Sequence, residues 1–113
     1  MVNTLALRNG SKIKFISYND ILYCKADGRY TQVVLKNGKS ILTASLLKSF
    51  ENRLPCDLFL RIHKSYIINL NYITDYNNSI NGFLILGTNT KLRVSKRRKK
   101  RVLEILNSNF TFI

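Results

Sequence analysis

Apolar and polar residues alternate along most of this chain, the period of a strand with one wet face. Leu5 and Leu7 keep that alternation, and Ile13 and Phe15 repeat it across a Gly10-Ser11 turn. A strand over residues 21–25 follows a short Asn19-Asp20 turn, and Asp27-Gly28 leads into another over residues 30–35. Asn37-Gly38 predicts a tight hairpin, because both central positions tolerate positive φ. Residues 39–43 are its return strand.

The period then changes. Leu46, Phe50 and Leu54, with Leu47 beside them, form one apolar helical stripe. Ser45 is the expected N-cap and Pro55 the stop, giving a helix of about two to three turns. Strand patterning resumes over residues 59–62, 66–70, 73–76, 83–86 and 91–94, with turns at Asn77-Asn78 and Asn89. Ser95 is expected to cap a second short helix, with Val102, Leu103 and Leu106 on one side and cations on the other. Residues 107–113 read equally as a last strand or a frayed end. The pattern therefore predicts a mainly β domain of about nine or ten strands and one or two short helices. A sheet with a wet face packs on another layer, so layered antiparallel sheets are the expected architecture.

A length of 113 residues suits one domain over 1–113, and no repeat, Pro- or Gly-rich linker or low-complexity stretch divides it. Apolar residues make up 45%, with six Tyr and six Phe, which is enough for a core and argues against disorder.

Charge changes the picture more. There are 19 Lys and Arg against 6 Asp and Glu, a formal net charge of +13. Such an excess repels itself in a compact state and favours a partner that carries negative charge, nucleic acid or an anionic membrane. Lys91, Arg93, Lys96, Arg97, Arg98, Lys99, Lys100 and Arg101 place eight cations in eleven residues with no acid among them. Apolar residues on both sides hold this run against the fold. No apolar stretch approaches the roughly 20 residues that span a bilayer. Residues 1–10 lack the apolar block of a secretory signal, so the expected location is the cytoplasm. Cys24 and Cys56 form neither a disulfide framework nor a zinc spacing, and they are read as reduced thiols; no cofactor is expected.

The densest chemistry lies in Arg61-Ile62-His63-Lys64-Ser65-Tyr66-Ile67-Ile68-Asn69. A polar tip, His63-Lys64-Ser65, sits between two strand-like runs. Lys can donate to the O6 and N7 acceptors of guanine in the major groove. His and Ser can hold a phosphate or orient the loop. The alternative for His63 is a satisfied core or turn histidine. Asn69 is read as hydrogen-bonding its own turn, and Tyr30 and Tyr66 as packing rather than stacking on bases.

This segment resembles the central signature of LytTR domains, F-x-R-x-H-[RKN]-S-[YF]-[IVL]-[IV]-N. The flanks agree: Asp20-Ile21-Leu22-Tyr23 with Ala26-Asp27-Gly28-x-Tyr30-Thr31, then Ser45-Leu46 and Leu54-Pro55, then Leu92-x-Val94-Ser95-Lys96-Arg97. The resemblance covers about residues 12–106. It implies layered antiparallel sheets, and contact with promoter DNA through loops entering successive major grooves, usually with bending. It places the contacts at Arg29, Lys64 and Lys96, with His63, Arg61 and Arg97 nearby for phosphate or loop support. It also admits a homodimer on paired direct repeats. Lys64 stands where many relatives carry Arg, and Lys25 where an acid is common, which bears on base preference. In two-component regulators of this kind a receiver domain commonly lies N-terminal; none precedes the signature in these residues, so the chain is expected to be a stand-alone regulator or a piece of a larger one.

The leading expectation is thus a sequence-specific double-stranded DNA-binding domain of a bacterial transcriptional regulator. A non-specific RNA- or single-strand-binding β-domain would need aromatics exposed on a sheet face. An enzyme is not expected, since His63 is the one histidine and no two of the scattered carboxylates have metal-ligand spacing. A membrane-surface module would rest on the cationic run, whose apolar side is short.

Overall fold

The computed structural model describes residues 2–87 and 89–113. Three antiparallel sheets stack in it as the alternation requires. Strands β1 (Thr4–Asn9) and β2 (Lys12–Ser17) form a hairpin. The central sheet contains β3 (Ile21–Asp27), β4 (Tyr30–Leu35), β5 (Ser40–Thr43), β6 (Phe59–His63) and β7 (Tyr66–Asn69), in the order β5-β4-β3-β7-β6. The third sheet orders β10 (Thr90–Arg93), β9 (Phe83–Leu86) and β8 (Ile73–Asn77). Two helices, α1 (Leu47–Arg53) and α2 (Lys99–Asn109), complete the fold.

The central sheet is the middle layer, and its side-chain alternation builds two cores. Phe59 and Ile67 point to one face, where they join Leu7, Ile16, Leu47, Phe50 and Leu54 from the hairpin and α1. Leu60, Ile62 and Ile68 point to the other, where they meet Leu84, Leu86, Leu92, Val102 and Leu106 from the third sheet and α2. Ile62 and Ile68 are fully buried, each worth roughly 1.5–3 kcal/mol of apolar transfer. With both faces covered, the middle strands lose the hydrophobic-in, polar-out pattern of a half-wet sheet.

Asn69 anchors the join between the layers. It is fully buried, donates from Nδ2 to the carbonyls of Tyr18 (3.1 Å) and Ile21 (2.9 Å), and accepts from the Asn71 N–H at 2.9 Å. The amide thus holds its own turn and a distant one together. The Tyr72 hydroxyl donates to the Asn19 carbonyl beside it.

Several local expectations need correction. Ser45 does not cap α1. Leu46 occupies that position with no side-chain cap bond and is 56% exposed, while the Ser45 carbonyl accepts from the Thr31 hydroxyl at 2.7 Å. The helical stripe is therefore Leu47, Phe50 and Leu54. Ser95 does not cap α2 either. It precedes a 3-10 turn over Lys96–Arg98, and its buried hydroxyl has no partner among the described residues. In the hairpin, Ile16 is buried while Ile13 and Phe15 face solvent at 49% and 72% exposure. The Asn37-Gly38 connection is looser than a two-residue turn. Only Gly38 takes positive φ (87°), and Asn37 Oδ1 accepts from the Lys39 N–H. Finally, α2 runs through residues 107–109, and residues 110–113 carry no regular structure.

Candidate nucleic-acid interface

Antiparallel pairing gathers the predicted site residues at one end of the central sheet. β3 ends and β4 begins at the pair Asp27↔Tyr30, so Gly28 and Arg29 are a two-residue connection. Gly28 takes φ 59°, and positive φ at the first central position matches the right-handed strand twist of a tight hairpin. Arg29 is left exposed at its tip. β6 ends and β7 begins at His63↔Tyr66, so Lys64 and Ser65 form a second two-residue connection. The register Lys25↔Tyr66 and the 2.9 Å bond from Ala26 N–H to the Ser65 carbonyl place the two tips at neighbouring ends of paired strands.

The third segment joins from the other layer. The Ser95 N–H donates to the Ile62 carbonyl at 2.9 Å, fixing the start of the Lys96–Arg98 turn beside the last residues of β6. Lys96 and Arg97 are exposed there. No salt bridge among the described residues engages Arg29, Lys64, Lys96 or Arg97. Their charges are free to meet an anion.

Arg61 stands differently. Its side chain is only 13% exposed and each of its three nitrogens makes a bond. Nε donates to the His63 carbonyl (3.2 Å), one terminal nitrogen to the Lys64 carbonyl (2.6 Å), and the other to Glu51 Oε1 (2.9 Å). Three of its five N–H donors are thus directed at the 63–65 turn and at Glu51, which makes Arg61 a support of that turn. Glu51, on α1, also lies 3.5 Å from Lys48 and 3.9 Å from Arg98. One carboxylate therefore links α1, the turn after β6 and the segment after β10 around the edge of the sheet. Partial burial of Glu51 works to raise its pKa, but the Arg61 hydrogen bond and the charges of Arg61, Lys48 and Arg98 hold it below the usual value. Burial, then the charges of Arg61 and Arg97, lower Arg98 from its ordinary value.

His63 is half-buried with its ring 5.3 Å from that of Tyr66. Nδ1 accepts from the Ser65 N–H at 3.1 Å, which only an unprotonated Nδ1 can do. Burial, then Lys64, Arg93, Arg98 and Arg61, push its pKa below the ordinary 6.5. A neutral imidazole follows, holding the turn through Nδ1 and leaving Nε2–H as a donor. Both earlier options for this residue, turn histidine and donor, are open to one side chain.

Two cations of this end escaped the sequence reading as site residues. Lys91 and Arg93 sit on the exposed face of β10, and Arg93 is close enough to bear on His63. Their spacing of two on a predicted strand was the available signal. Glu51 gave none, because only tertiary packing brings α1 to β6. Elsewhere, Cys24 is buried and its thiol is pushed up to about 12 by that burial, while Cys56 is exposed and unpaired. Among the described residues no three His, Cys, Asp or Glu side chains gather as a metal site, and no helix is long and apolar enough to cross a membrane.

Layered sheets that carry unpaired cations on tight turns at one end define a small basic all-β module. The family model of the LytTr DNA-binding domain matches residues 11–107, and the chain belongs to that family, the DNA-binding domain of transcriptional regulators. It is 30% identical over 99 residues to the heme-containing CO-sensing transcriptional regulator RcoM 2 of Paraburkholderia xenovorans, covering 85% of this chain and 37% of that protein. It is 30% identical over 110 residues to the sensory transduction protein LytT of Bacillus cereus, covering 93% of this chain and 43% of that one. The chain thus spans about two fifths of these curated relatives. A solved LytTr DNA-binding domain from Bacillus cereus superposes with a TM-score of 0.79 at 22% identity, over 92% of this chain and 96% of that structure. The layered, mainly β architecture is that of the solved domain.

Proposed function

We propose that this chain is a single module that binds double-stranded promoter DNA in a sequence-specific way on behalf of a bacterial transcriptional regulator. Arg29, Lys64 and Lys96 are the base- or groove-directed cations. Arg97 and the His63 Nε2–H contact phosphate, and Arg61 positions the turn that carries Lys64. The observation that supports this most is the convergence of three exposed, unpaired basic segments at one end of a rigid sheet. An ordered turn has little backbone entropy left to lose on docking, which favours affinity and a fixed register.

Family membership supports DNA as the partner. The net charge of +13 supports strong attraction to a polyanion. Action in the cytoplasm and pairing of two copies on direct repeats belong to the same proposal. Lys64 carries a point charge where Arg would offer a planar fork, so its base contact is less demanding in geometry than a bidentate one.

The test is Lys64→Glu, assayed against a duplex recovered by selection from random sequences and against its scrambled counterpart. Loss of one base contact is worth about 1–3 kcal/mol, or roughly 5- to 150-fold. Affinity for the selected duplex should fall by that much, and by more than for the scrambled one. Unchanged binding of the selected duplex would remove Lys64 from the interface.

A further inference from the structure

We propose that the exposed face of β10 and the loop between β8 and β9 form a separate seat for the sugar-phosphate backbone of duplex DNA, with Lys91 and Arg93 as its cations. This rests on the DNA-binding reading above and adds a contact outside its three segments.

A groove runs between the turn after β6 and the β8–β9 loop, lined by Tyr66, Ser79, Asn81, Phe83, Lys91 and Arg93. Strand alternation puts Lys91 and Arg93 on the same face of β10, and both are exposed. The Lys91 Nζ lies 4.0 Å from the centre of the Phe83 ring, so a cation–π contact holds the ammonium against the groove lining. Neither cation has a salt bridge among the described residues. The opposite wall offers the neutral donors of Ser79 and Asn81. It is held in place from behind: Lys99 Nζ donates to the Ser79 carbonyl at 2.7 Å, and the Val94 N–H donates to the Gly82 carbonyl at 2.9 Å. The Ser79 N–H is itself bonded to Asn77 Oδ1 at 3.0 Å.

Position completes the case. β10 ends at Arg93, and two residues later the Ser95 bond to Ile62 ties the chain to β6. The groove therefore opens at the same end as the Lys64 turn. DNA held by that turn must pass its backbone close to this face. The groove has two cations, neutral donors and no acidic side chain in its lining. That chemistry suits a phosphodiester oxygen, and a contact made to phosphate fixes register without carrying base information.

The experiment measures affinity across a salt series for the whole chain and for Lys91→Gln, Arg93→Gln and the double variant. Selected and scrambled duplexes are used, with thermal unfolding as the check on folding. Each lost phosphate contact should flatten the log affinity against log salt slope by about 1. Affinity should fall by the same factor on both duplexes, leaving the preference between them unchanged. Well-folded variants with the wild-type slope overturn the proposal, as does a change in preference between duplexes. Loss of binding to phosphatidylglycerol vesicles with duplex binding intact would overturn it in favour of a membrane surface. If the unaltered chain binds no duplex in any salt, the DNA-binding reading fails and this seat with it. A failure confined to the variants leaves that reading standing.

Discussion

His63 shows how one residue serves fold and site together. Its Nδ1 accepts the Ser65 N–H, and its pKa lies below 6.5 because burial and four cations oppose a further charge. The unfolded chain, with an ordinary imidazole, binds the proton first as pH falls. Stability from this group is therefore complete above about pH 6.5 and declines below it until the folded imidazole also protonates. His63→Gln should remove that part of the slope in urea unfolding followed between about pH 5 and 7. A variant with the wild-type slope would show that His63 is not the group responsible. The two cysteines give a simpler contrast. A thiol reagent should label Cys56 in the native protein and leave Cys24 until unfolding, read by mass spectrometry, because Cys56 is open to the reagent whereas Cys24 is buried with its thiol pushed up to about 12. At this scale the sequence was most legible where chemistry is dense. The tip residues Lys64 and Arg29 were visible as cations in turns. Arg61 was visible as a cation but its direction was not, since a side chain that turns inward looks the same in sequence as one that turns out.

Element pairing decides where those residues meet. The strands were legible because alternation is a local signal, and the third-sheet strands were placed to within a residue or two. Helix boundaries were less so. Ser45 and Ser95 carry the right side chain for a cap, but the Ser45 carbonyl is taken by Thr31 and the chain at Ser95 turns first through a 3-10 segment. A tertiary bond outranks the capping preference at Ser45, and the local 3-10 turn displaces the helix start at Ser95. The link between α1 and β6 through Glu51 was not legible at all. It predicts that Glu51→Gln will weaken DNA binding without touching DNA, by releasing Arg61 and Arg98 from a fixed arrangement. The pair is partly exposed, so its loss should cost about 1–3 kcal/mol in chemical unfolding, between a surface and a buried bridge. Duplex preference should fall as well, even though the variant is one unit more positive. If removing the acid instead raises affinity uniformly with preference intact, Glu51 acts only as a repulsive charge.

At the scale of the whole molecule, composition announced a polyanion partner and the fold arranges how it is met. Nineteen cations are spread over the sequence, but pairing brings Arg29, Lys64, Lys96, Arg97, Lys91 and Arg93 to one end of three stacked sheets. Non-specific attraction needs only the charge, whereas preference for one sequence needs the charges in fixed places. The tight turns, the Asn69 tie and the Glu51 link supply that fixity. The most direct measurement is therefore competition on one labelled duplex recovered by selection, using scrambled duplex and single-stranded RNA as rivals at physiological salt. The account predicts that scrambled duplex and RNA compete at least about 1,000-fold less well than the selected duplex. Equal competition by all three would contradict it, leaving a cationic surface that attracts nucleic acid and reads none.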